Sequence, residues 1–203
     1  DEAEPEIRAV STPTEIRPDE PLQVQLQITN DGASTTTQRV ALRLNEDGTE
    51  QSPETVATKL VEVSPSETTN VTLAAEPEQI SSGEYTYAVT VGELSSPETT
   101  GSVAVLTPPT FTLTDTTEKD TAVRGANTSI RANLTNFGDY RGVQTVRFAV
   151  DTDRDGQYSD TETLNESVFS LSGGQSQTST ASVRTADLEP GRYRYQVATE
   201  NTT

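Results

Sequence analysis

The segment 80–89 reads ISSGEYTYAV, and the segment 188–197 reads LEPGRYRYQV. Both follow the pattern aliphatic-x-x-Gly-x-Tyr-x-Tyr-x-Val, at an offset of 108 positions. About 100 residues is the length of an immunoglobulin-like sandwich, and self-similarity at a fixed period is typical of repeated structural units. The repeated phrase therefore predicts two related β domains in tandem.

The repeat extends well beyond this phrase. The segment 24–32, VQLQITNDG, aligns with the segment 130–138, IRANLTNFG, at an offset of 106. The offset grows by two between positions 150 and 172, so the second copy carries a longer loop there. Loops are where related domains usually differ.

Apolar and polar residues alternate along both copies. Positions 22, 24, 26 and 28 are aliphatic and are separated by glutamines, which is the period of a half-buried strand. No segment shows a helical period, so the sequence predicts an all-β chain of two immunoglobulin-like sandwiches. Two prolines in the segment 107–110 indicate a short, stiff connector. The predicted domains are therefore 1–107 and 108–203.

The two copies end differently. In the first copy the Tyr-x-Tyr strand is followed by another strand at 101–106, whereas in the second copy it is followed only by residues 200–203. The second domain is therefore expected to lack its last strand. Either the chain is cut from a longer one, or the strand is dispensable, or a neighbouring subunit donates a strand. The segment 4–10 is a possible donor.

The composition is strongly acidic. The chain has 32 acidic and 14 basic residues, a net charge of -18, and Lys59 and Lys119 as its only lysines. This balance favours a halophilic archaeon, in which carboxylates hold water and salt screens their repulsion. An ordinary acidic secreted protein is the alternative. Nucleic acid is not expected as a partner because few basic residues are present to neutralise phosphates.

Several chemistries lack the residues that they need. The chain contains no Cys, His, Met or Trp, which excludes disulfides, His-dependent triads and the usual zinc sites. No stretch is apolar and long enough to span a membrane. Paired-carboxylate hydrolysis remains open in principle, but no aromatic platform for a sugar is evident. From these observations the expectation is a protein that is not an enzyme.

The motifs Thr-Asn-x-Gly, at 29–32 and 135–138, and Gly-x-Tyr-x-Tyr-x-Val, about fifty residues later, resemble the CARDB-type, cell-adhesion-related domains of bacteria and archaea. The resemblance is clearest over 22–48, 80–91, 128–150 and 188–199. It implies immunoglobulin-like sandwiches in surface proteins, and it supplies no catalytic residues.

The segment 151–162, DTDRDGQYSDTE, satisfies the calcium-loop pattern D-x-D-x-D-G-x5-E. Its predicted ligands are the side chains of Asp151, Asp153, Asp155 and Glu162 and the main-chain carbonyl of Gln157. Strands flank the loop, so calcium would rigidify it rather than open a pair of helices. The alternative is a solvated acidic hairpin in a chain already rich in Asp.

Five of the eight asparagines lie in N-x-[ST] sequons. They are Asn70, Asn127, Asn133, Asn165 and Asn201. This excess predicts N-glycosylation of a surface protein, although a Thr-rich surface alone also produces sequons.

The tyrosines of the repeated phrase are assigned to structure. Tyr85 and Tyr193 match the tyrosine corner of Greek-key sandwiches, in which the hydroxyl bonds nearby backbone. Tyr87 and Tyr195 are expected to pack in the core.

Together these features predict an extracellular, cell-surface structural or adhesion protein of a halophilic archaeon, in a surface layer, adhesin or filament. The partners would be copies of itself or other cell-surface proteins. One alternative is a pilus-like subunit that polymerises by donor-strand complementation. Another is a polysaccharide- or protein-binding module of a larger secreted protein.

Overall fold

A computed structural model describes residues 5–47, 52–92, 99–117 and 121–200. The chain divides into two compact units, residues 1–107 and residues 108–203, which are called here the first and the second unit. Among the described residues, the only helical segments are three single turns, at Pro77–Gln79, Asp160–Glu162 and Thr185–Asp187.

The first unit is built from eight strands in two sheets. The strands are β1 Pro5–Ser11, β2 Glu15–Ile16, β3 Leu22–Asn30, β4 Thr36–Glu46, β5 Glu54–Val63, β6 Thr68–Ala75, β7 Gly83–Val91 and β8 Thr99–Val105. One sheet has the order β1-β3-β6, and the other has the order β2-β8-β7-β4-β5. The pairings are antiparallel except for β2 with β8, which is parallel.

The core of the first unit follows directly from the alternation in the sequence. The aliphatic side chains of β3 are at most 1% exposed, whereas the first two glutamines between them are exposed. Strands β4 and β7 of the other sheet bury Val40, Leu42 and Val89 completely. Because one face of each sheet is apolar, packing the two faces together removes both from water.

The second unit repeats this arrangement with six strands. They are β9 Phe111–Asp115, β10 Asn127–Asn136, β11 Gly142–Val150, β12 Thr163–Leu171, β13 Ser176–Arg184 and β14 Tyr195–Glu200. The sheets have the orders β13-β10-β9 and β12-β11-β14, and all pairings are antiparallel. Phe148, Leu134 and Val146 are fully buried in its core. The predicted all-β, immunoglobulin-like fold is confirmed.

Strand β14 differs from its counterpart β7. Strand β7 is flanked by β4 and β8, whereas in the described part of the chain β14 pairs only with β11. The repeated phrase leads one to expect a strand from Gly191, as β7 begins at Gly83, but the structure begins β14 at Tyr195. In β7, Gly83 and the residues after it pair with β8. No described strand gives residues 191–194 such a partner.

The segment proposed as a strand donor has a partner inside its own unit. Residues Pro5–Ser11 form β1, which pairs antiparallel with β3. The described part of that segment is therefore an edge strand of the first sheet, and the hypothesis that it serves as a free donor does not agree with this structure.

An asparagine side chain joins the two sheets of the first unit. Asn30, at the end of β3, is completely buried. Its Nδ2 donates to the carbonyl of Val63, 3.0 Å away at the end of β5, and to the carbonyl of Ser34, 2.8 Å away. Its Oδ1 accepts the N–H of Gly32 at 3.1 Å. The Thr-Asn-x-Gly motif thus closes a turn and also links β3 to a strand of the opposite sheet.

The second unit repeats this bond pattern around Asn136. Its Nδ2 donates to the carbonyls of Tyr140 and Leu171, at 2.9 and 3.1 Å. Its Oδ1 accepts the N–H groups of Gly138 and Thr110, at 2.9 and 3.2 Å. Asn136 is also fully buried, so every polar atom of this amide is satisfied by backbone rather than by water.

The tyrosine corners are confirmed in both units. The hydroxyl of Tyr85 donates to the carbonyl of Ser81 at 3.1 Å, and the hydroxyl of Tyr193 donates to the carbonyl of Glu189 at 2.7 Å. In each case the acceptor lies four residues upstream. The two hydroxyls therefore fix the chain as it enters β7 and β14.

The prediction that Tyr195 packs in the core is wrong. Tyr87 is 6% exposed and lies against Gly101 of β8, whereas Tyr195 is 39% exposed. The hydroxyl of Tyr195 donates to the carboxylate of Asp115, and this bond raises the pKa of Tyr195. The physical reason is the adjacent strand. Strand β8 covers the ring of Tyr87 in the first unit, whereas among the described residues no strand lies beside β14 to cover the ring of Tyr195.

We predict that Asn136→Ala lowers the free energy of unfolding by about 2 kcal/mol or more, because buried backbone groups lose their partners. Asn136→Asp should destabilise as well, since it places carboxylate oxygen against two carbonyls. Urea denaturation followed by circular dichroism at constant salt measures both. Asn127→Ala, at an exposed position of the same strand, is the control, and equal effects at the two positions would contradict the assigned role.

We also predict that Gly101→Ala destabilises the first unit by about 1–3 kcal/mol through overpacking. A Cβ at this position would lie 2.6 Å from Cε1 and Cζ of the Tyr87 ring. The exposed neighbour Ser102→Ala is the matched control. Thermal unfolding of both variants tests this, and an unchanged melting temperature for Gly101→Ala would show that the ring does not depend on the glycine.

Candidate functional site

The acidic loop lies in the second unit between β11 and β12. It begins directly after Val150 and ends in the single helical turn Asp160–Glu162, which leads into β12. Two of its residues have left-handed backbone, Arg154 at φ 66° and Gly156 at φ 83°. These conformations fold the loop back on itself, so that alternate side chains converge.

Three carboxylates of this loop come together. Asp151, Asp153 and Asp155 each offer one oxygen, and these oxygens lie within 4.8 Å of one another. Backbone N–H groups of the loop hold each carboxylate in place. The N–H groups of Gly156, Asp155 and Gln157 donate to them at 3.1, 3.1 and 2.7 Å, respectively. Each carboxylate therefore has one oxygen that accepts a loop N–H.

Asp151 differs from the other two aspartates in its burial. It is 3% exposed, while Asp153 and Asp155 are exposed. Its Oδ2 accepts the Gly156 N–H, but its Oδ1 is buried and has no hydrogen-bond partner within the described residues. A buried polar atom without a partner costs about 1–3 kcal/mol, and a charged one costs more. This oxygen is the least satisfied part of the loop.

Glu162 closes the loop as a hydrogen-bond acceptor. It is buried, and its Oε1 accepts the N–H of Thr152 at 2.6 Å and the hydroxyl of Thr152 at 3.0 Å. Its Oε2 accepts the N–H and the hydroxyl of Ser159 at 2.9 and 3.0 Å. The N–H of Ser159 contributes most to lowering the pKa of Glu162 to about 2, and the N–H of Thr152 and both hydroxyls add to it. The ionised carboxylate is therefore the form that this loop binds.

Arg154 lies between the aspartates in sequence, but its guanidinium group is held elsewhere. Nη2 donates to the hydroxyl of Tyr193 at 2.8 Å, and Cζ lies 4.5 Å from the centre of that ring. The carbonyls of Glu189 and Pro190 accept from the same nitrogen at 3.5 and 3.4 Å. The loop is thus tied to the tyrosine corner of β14.

A shallow, polar cavity of about 250 Å³ lies beside the loop. It is lined by Asp151, Arg154, Asp155, Gly156, Arg192 and Arg194. The aspartates therefore have arginines near them, yet no ion pair joins them within the described ranges. The arrangement offers oxygen ligands to a cation in a place that solvent reaches.

The sequence predicted five ligands, and the structure brings three of them together. Glu162, the acid at the last position of the pattern, accepts hydrogen bonds from Thr152 and Ser159 and does not join the cluster. Gln157 contributes its N–H to Asp155. Sequence reasoning missed the contact of Arg154 with Tyr193, which no spacing rule could reveal because the two residues lie 39 positions apart.

The predicted glycosylation sites differ in their surroundings. Asn70 and Asn127 are exposed, whereas Asn133 and Asn165 are partly buried. In the latter two sequons the amide nitrogen donates to the hydroxyl of the sequon itself, Thr135 Oγ1 at 3.3 Å and Ser167 Oγ at 3.1 Å. Asn201 lies outside the described residues. Glycosylation stays a prediction.

Residues 6–96 match the CARDB family model. The first unit carries a CARDB-like domain. This confirms the resemblance for the first copy of the Thr-Asn-x-Gly and Gly-x-Tyr-x-Tyr-x-Val motifs, whereas the second copy lies outside the matched residues. The matched residues include all of β3 to β7, and therefore Asn30 and the tyrosine corner of Tyr85.

Several solved structures resemble part of the chain. A β-glucosidase from Listeria innocua, solved with glucose, is 23% identical at a TM-score of 0.44 over 51% of this chain and 16% of that chain. A β-glucosidase from Kluyveromyces marxianus is 15% identical at a TM-score of 0.43 over 51% of this chain and 14% of that chain. The chain thus spans less than a fifth of their length. No curated protein matches it in sequence.

The expectation that the chain is not an enzyme is corrected, and no conclusion against an enzyme is drawn. The solved structures that resemble part of the chain are β-glucosidases. The absence of His and Cys was a weak argument, because glycoside hydrolysis uses paired Asp or Glu residues and this chain has 32 acidic residues. The likeness itself, at these TM-scores and identities, shows no activity for this chain.

The described residues contain no helix that is long and apolar enough to cross a membrane.

We predict that Glu162→Gln lowers the melting temperature at neutral pH, because a neutral amide accepts these hydrogen bonds more weakly than a carboxylate. The folded pKa is depressed, so the stabilisation by ionised Glu162 is full above the unfolded pKa of about 4.3 and is lost as the pH falls towards about 2. The difference between the wild type and the variant should therefore shrink over this window. Thermal unfolding from pH 7 to pH 2 measures it, and a constant difference would contradict the assignment.

Proposed function

We propose that the chain is part of an extracellular, cell-surface structural or adhesion protein of a halophilic archaeon. The CARDB-like domain in the first unit carries this proposal, because that family is related to cell adhesion. The second unit has a similar arrangement of six strands and a buried asparagine with the same bond pattern, which supports a tandem of such domains.

The charge of the chain supports the halophilic setting. A net charge of -18 on 203 residues repels itself at low ionic strength, and salt screens that repulsion. Many of the acidic side chains are exposed on outward strand positions, such as Glu62, Glu84 and Glu166. In such positions carboxylates stay hydrated and raise solubility without disturbing the core.

Immunogold labelling of intact cells of the source organism tests the location. An antibody against the second unit should label the outer surface of unpermeabilised cells, and brief protease treatment of whole cells should remove the signal. Labelling that appears only after permeabilisation would contradict the proposal.

We predict that the melting temperature rises as NaCl increases from about 0.1 M to about 2 M, because the Debye length falls from about 10 Å to below 3 Å. Calorimetry of the purified chain measures this. Sucrose at equal water activity is the control for a general solute effect. A melting temperature that is constant or falls with salt would contradict the halophilic setting.

Among the described residues β14 pairs with β11 alone, and this favours a second candidate, a filament subunit that accepts a strand from a neighbour. Edge strands are sites at which another chain adds a strand.

A peptide with the sequence of β8 should compete with a neighbour's strand for the edge of β14, because β8 pairs with the equivalent edge of β7. A peptide of residues 101–106 should dissolve polymers seen by electron microscopy, while a scrambled peptide should not. Purified protein that stays monomeric at high concentration would exclude this candidate.

A further inference from the structure

We propose that the loop 151–156 binds one divalent cation, of the calcium type, through Asp151, Asp153 and Asp155. One oxygen from each of these carboxylates lies within 4.8 Å of the others, which is a separation that a single large cation can bridge. The proposal concerns the ion alone, and it holds whether or not the chain is found at the cell surface.

The buried oxygen of Asp151 is the observation that separates this cluster from an ordinary acidic surface. Its Oδ1 has no hydrogen-bond partner in the described structure, and the residue is 3% exposed. Exposed aspartates satisfy their oxygens with water, but a buried carboxylate oxygen needs a specific partner. A cation beside Asp151 supplies that partner.

The hydrogen bonds inside the loop leave ligand capacity for the ion. Each of the three carboxylates uses one oxygen for a loop N–H, on Gly156, Asp155 or Gln157. Backbone donors therefore orient the carboxylates while the remaining oxygens stay open. Such N–H contacts to coordinating carboxylates are the outer contacts that position metal ligands.

The charge balance of the loop points the same way. Arg154 is the nearest basic residue in sequence, but its guanidinium group bonds neutral acceptors at Tyr193, Glu189 and Pro190. Arg192 and Arg194 line the same cavity beside the loop, but among the described residues neither they nor Arg154 forms an ion pair with the three carboxylates. Three like charges at this spacing repel one another, and a divalent cation turns that repulsion into attraction.

The chemistry of the donors selects the type of cation. All three side chains supply carboxylate oxygen, and the chain has no Cys or His. Oxygen ligands suit hard cations, and an irregular, partly open loop suits calcium better than the strict octahedron of magnesium. Water completes the coordination sphere on the open side of the loop.

Glu162 has a different role from the last acid of an EF-hand loop. Both of its oxygens accept hydrogen bonds from Thr152 and Ser159, so it closes the loop without the ion. Removing Glu162 should therefore weaken the fold with or without calcium. Asp153→Asn keeps an oxygen for the Asp155 N–H and removes one of the three like charges, so it should not weaken the fold without calcium.

Calorimetric titration of the 203-residue chain with CaCl2 tests the proposal, after treatment with a chelator and in about 2 M NaCl to screen diffuse surface charge. We expect one saturable site with a dissociation constant in the range of about 10⁻⁴–10⁻³ M, or tighter. Asp153→Asn should weaken binding by about tenfold or more, because the ion loses one of its few charged ligands. Calcium should raise the melting temperature of the wild type and have little effect on that of the variant.

Asp160→Asn is the matched control, because Asp160 belongs to the same loop, is exposed and lies outside the cluster. It should bind calcium like the wild type. No saturable heat up to about 10 mM CaCl2, an order of magnitude above the weakest range for extracellular modules, would overturn the proposal. Equal weakening by Asp153→Asn and Asp160→Asn would overturn it too, since binding would then follow total charge. Asp153 is exposed, so its variant is expected to fold, and its circular dichroism spectrum checks this.

Discussion

A buried asparagine amide in each unit determines how the two sheets of that unit meet. Apolar faces attract one another without direction, so burial alone permits several alignments of two sheets. The amides of Asn30 and Asn136 are directional, because each must place two donors and one acceptor against fixed backbone groups. In a dry core, any alignment that leaves these groups unpaired is costly. The Thr-Asn-x-Gly motif therefore specifies one sandwich among those that the hydrophobic pattern allows.

The same framework explains where the two units differ. The asparagine and the tyrosine corner fix the ends of β10, β12 and β14, so the connection between β11 and β12 can vary without disturbing the core. The second unit uses that freedom for the acidic loop. Arg154 then ties the loop to Tyr193, and Glu162 closes it from inside. An added loop is thereby held by the same residues that define the fold.

Much of the fold could be predicted from the sequence, because alternation reports directly which side chains face the core. Strands β3, β4, β10 and β11 are of this kind, and the corners at Tyr85 and Tyr193 followed from the repeated phrase. Strands β1 and β2 were not predicted as parts of the first sandwich, because β1 is an edge strand and β2 is two residues long. Tyr195 was misplaced because the pattern describes a strand and not the neighbour that covers it.

The residues of the candidate site could be predicted from the sequence, but their burial and their hydrogen bonds could not. The spacing of Asp151, Asp153 and Asp155 indicated convergence, and the structure shows it. Alternation along β11 assigns Val150 to the core and the next residue to the outside, yet Asp151 is buried where the chain meets Arg194. The commitment of Glu162 to Thr152 and Ser159 was also hidden, since a pattern records residue types and not their competing hydrogen bonds.

The carboxylate of Asp151 is buried, and its electrostatics differ from those of the exposed carboxylates of this protein. Exposed carboxylates interact through water, so dissolved salt screens them and the whole acidic surface responds to ionic strength. A buried carboxylate oxygen has little water around it, so the diffuse ion atmosphere screens it weakly, whereas a cation bound in the loop contacts it directly. Salt that stabilises the surface therefore has little effect on this oxygen, and a cation bound in the loop supplies the direct contact that diffuse screening does not. The exposed carboxylates therefore respond to ionic strength, whereas the buried carboxylate of Asp151 responds to a cation bound in the loop.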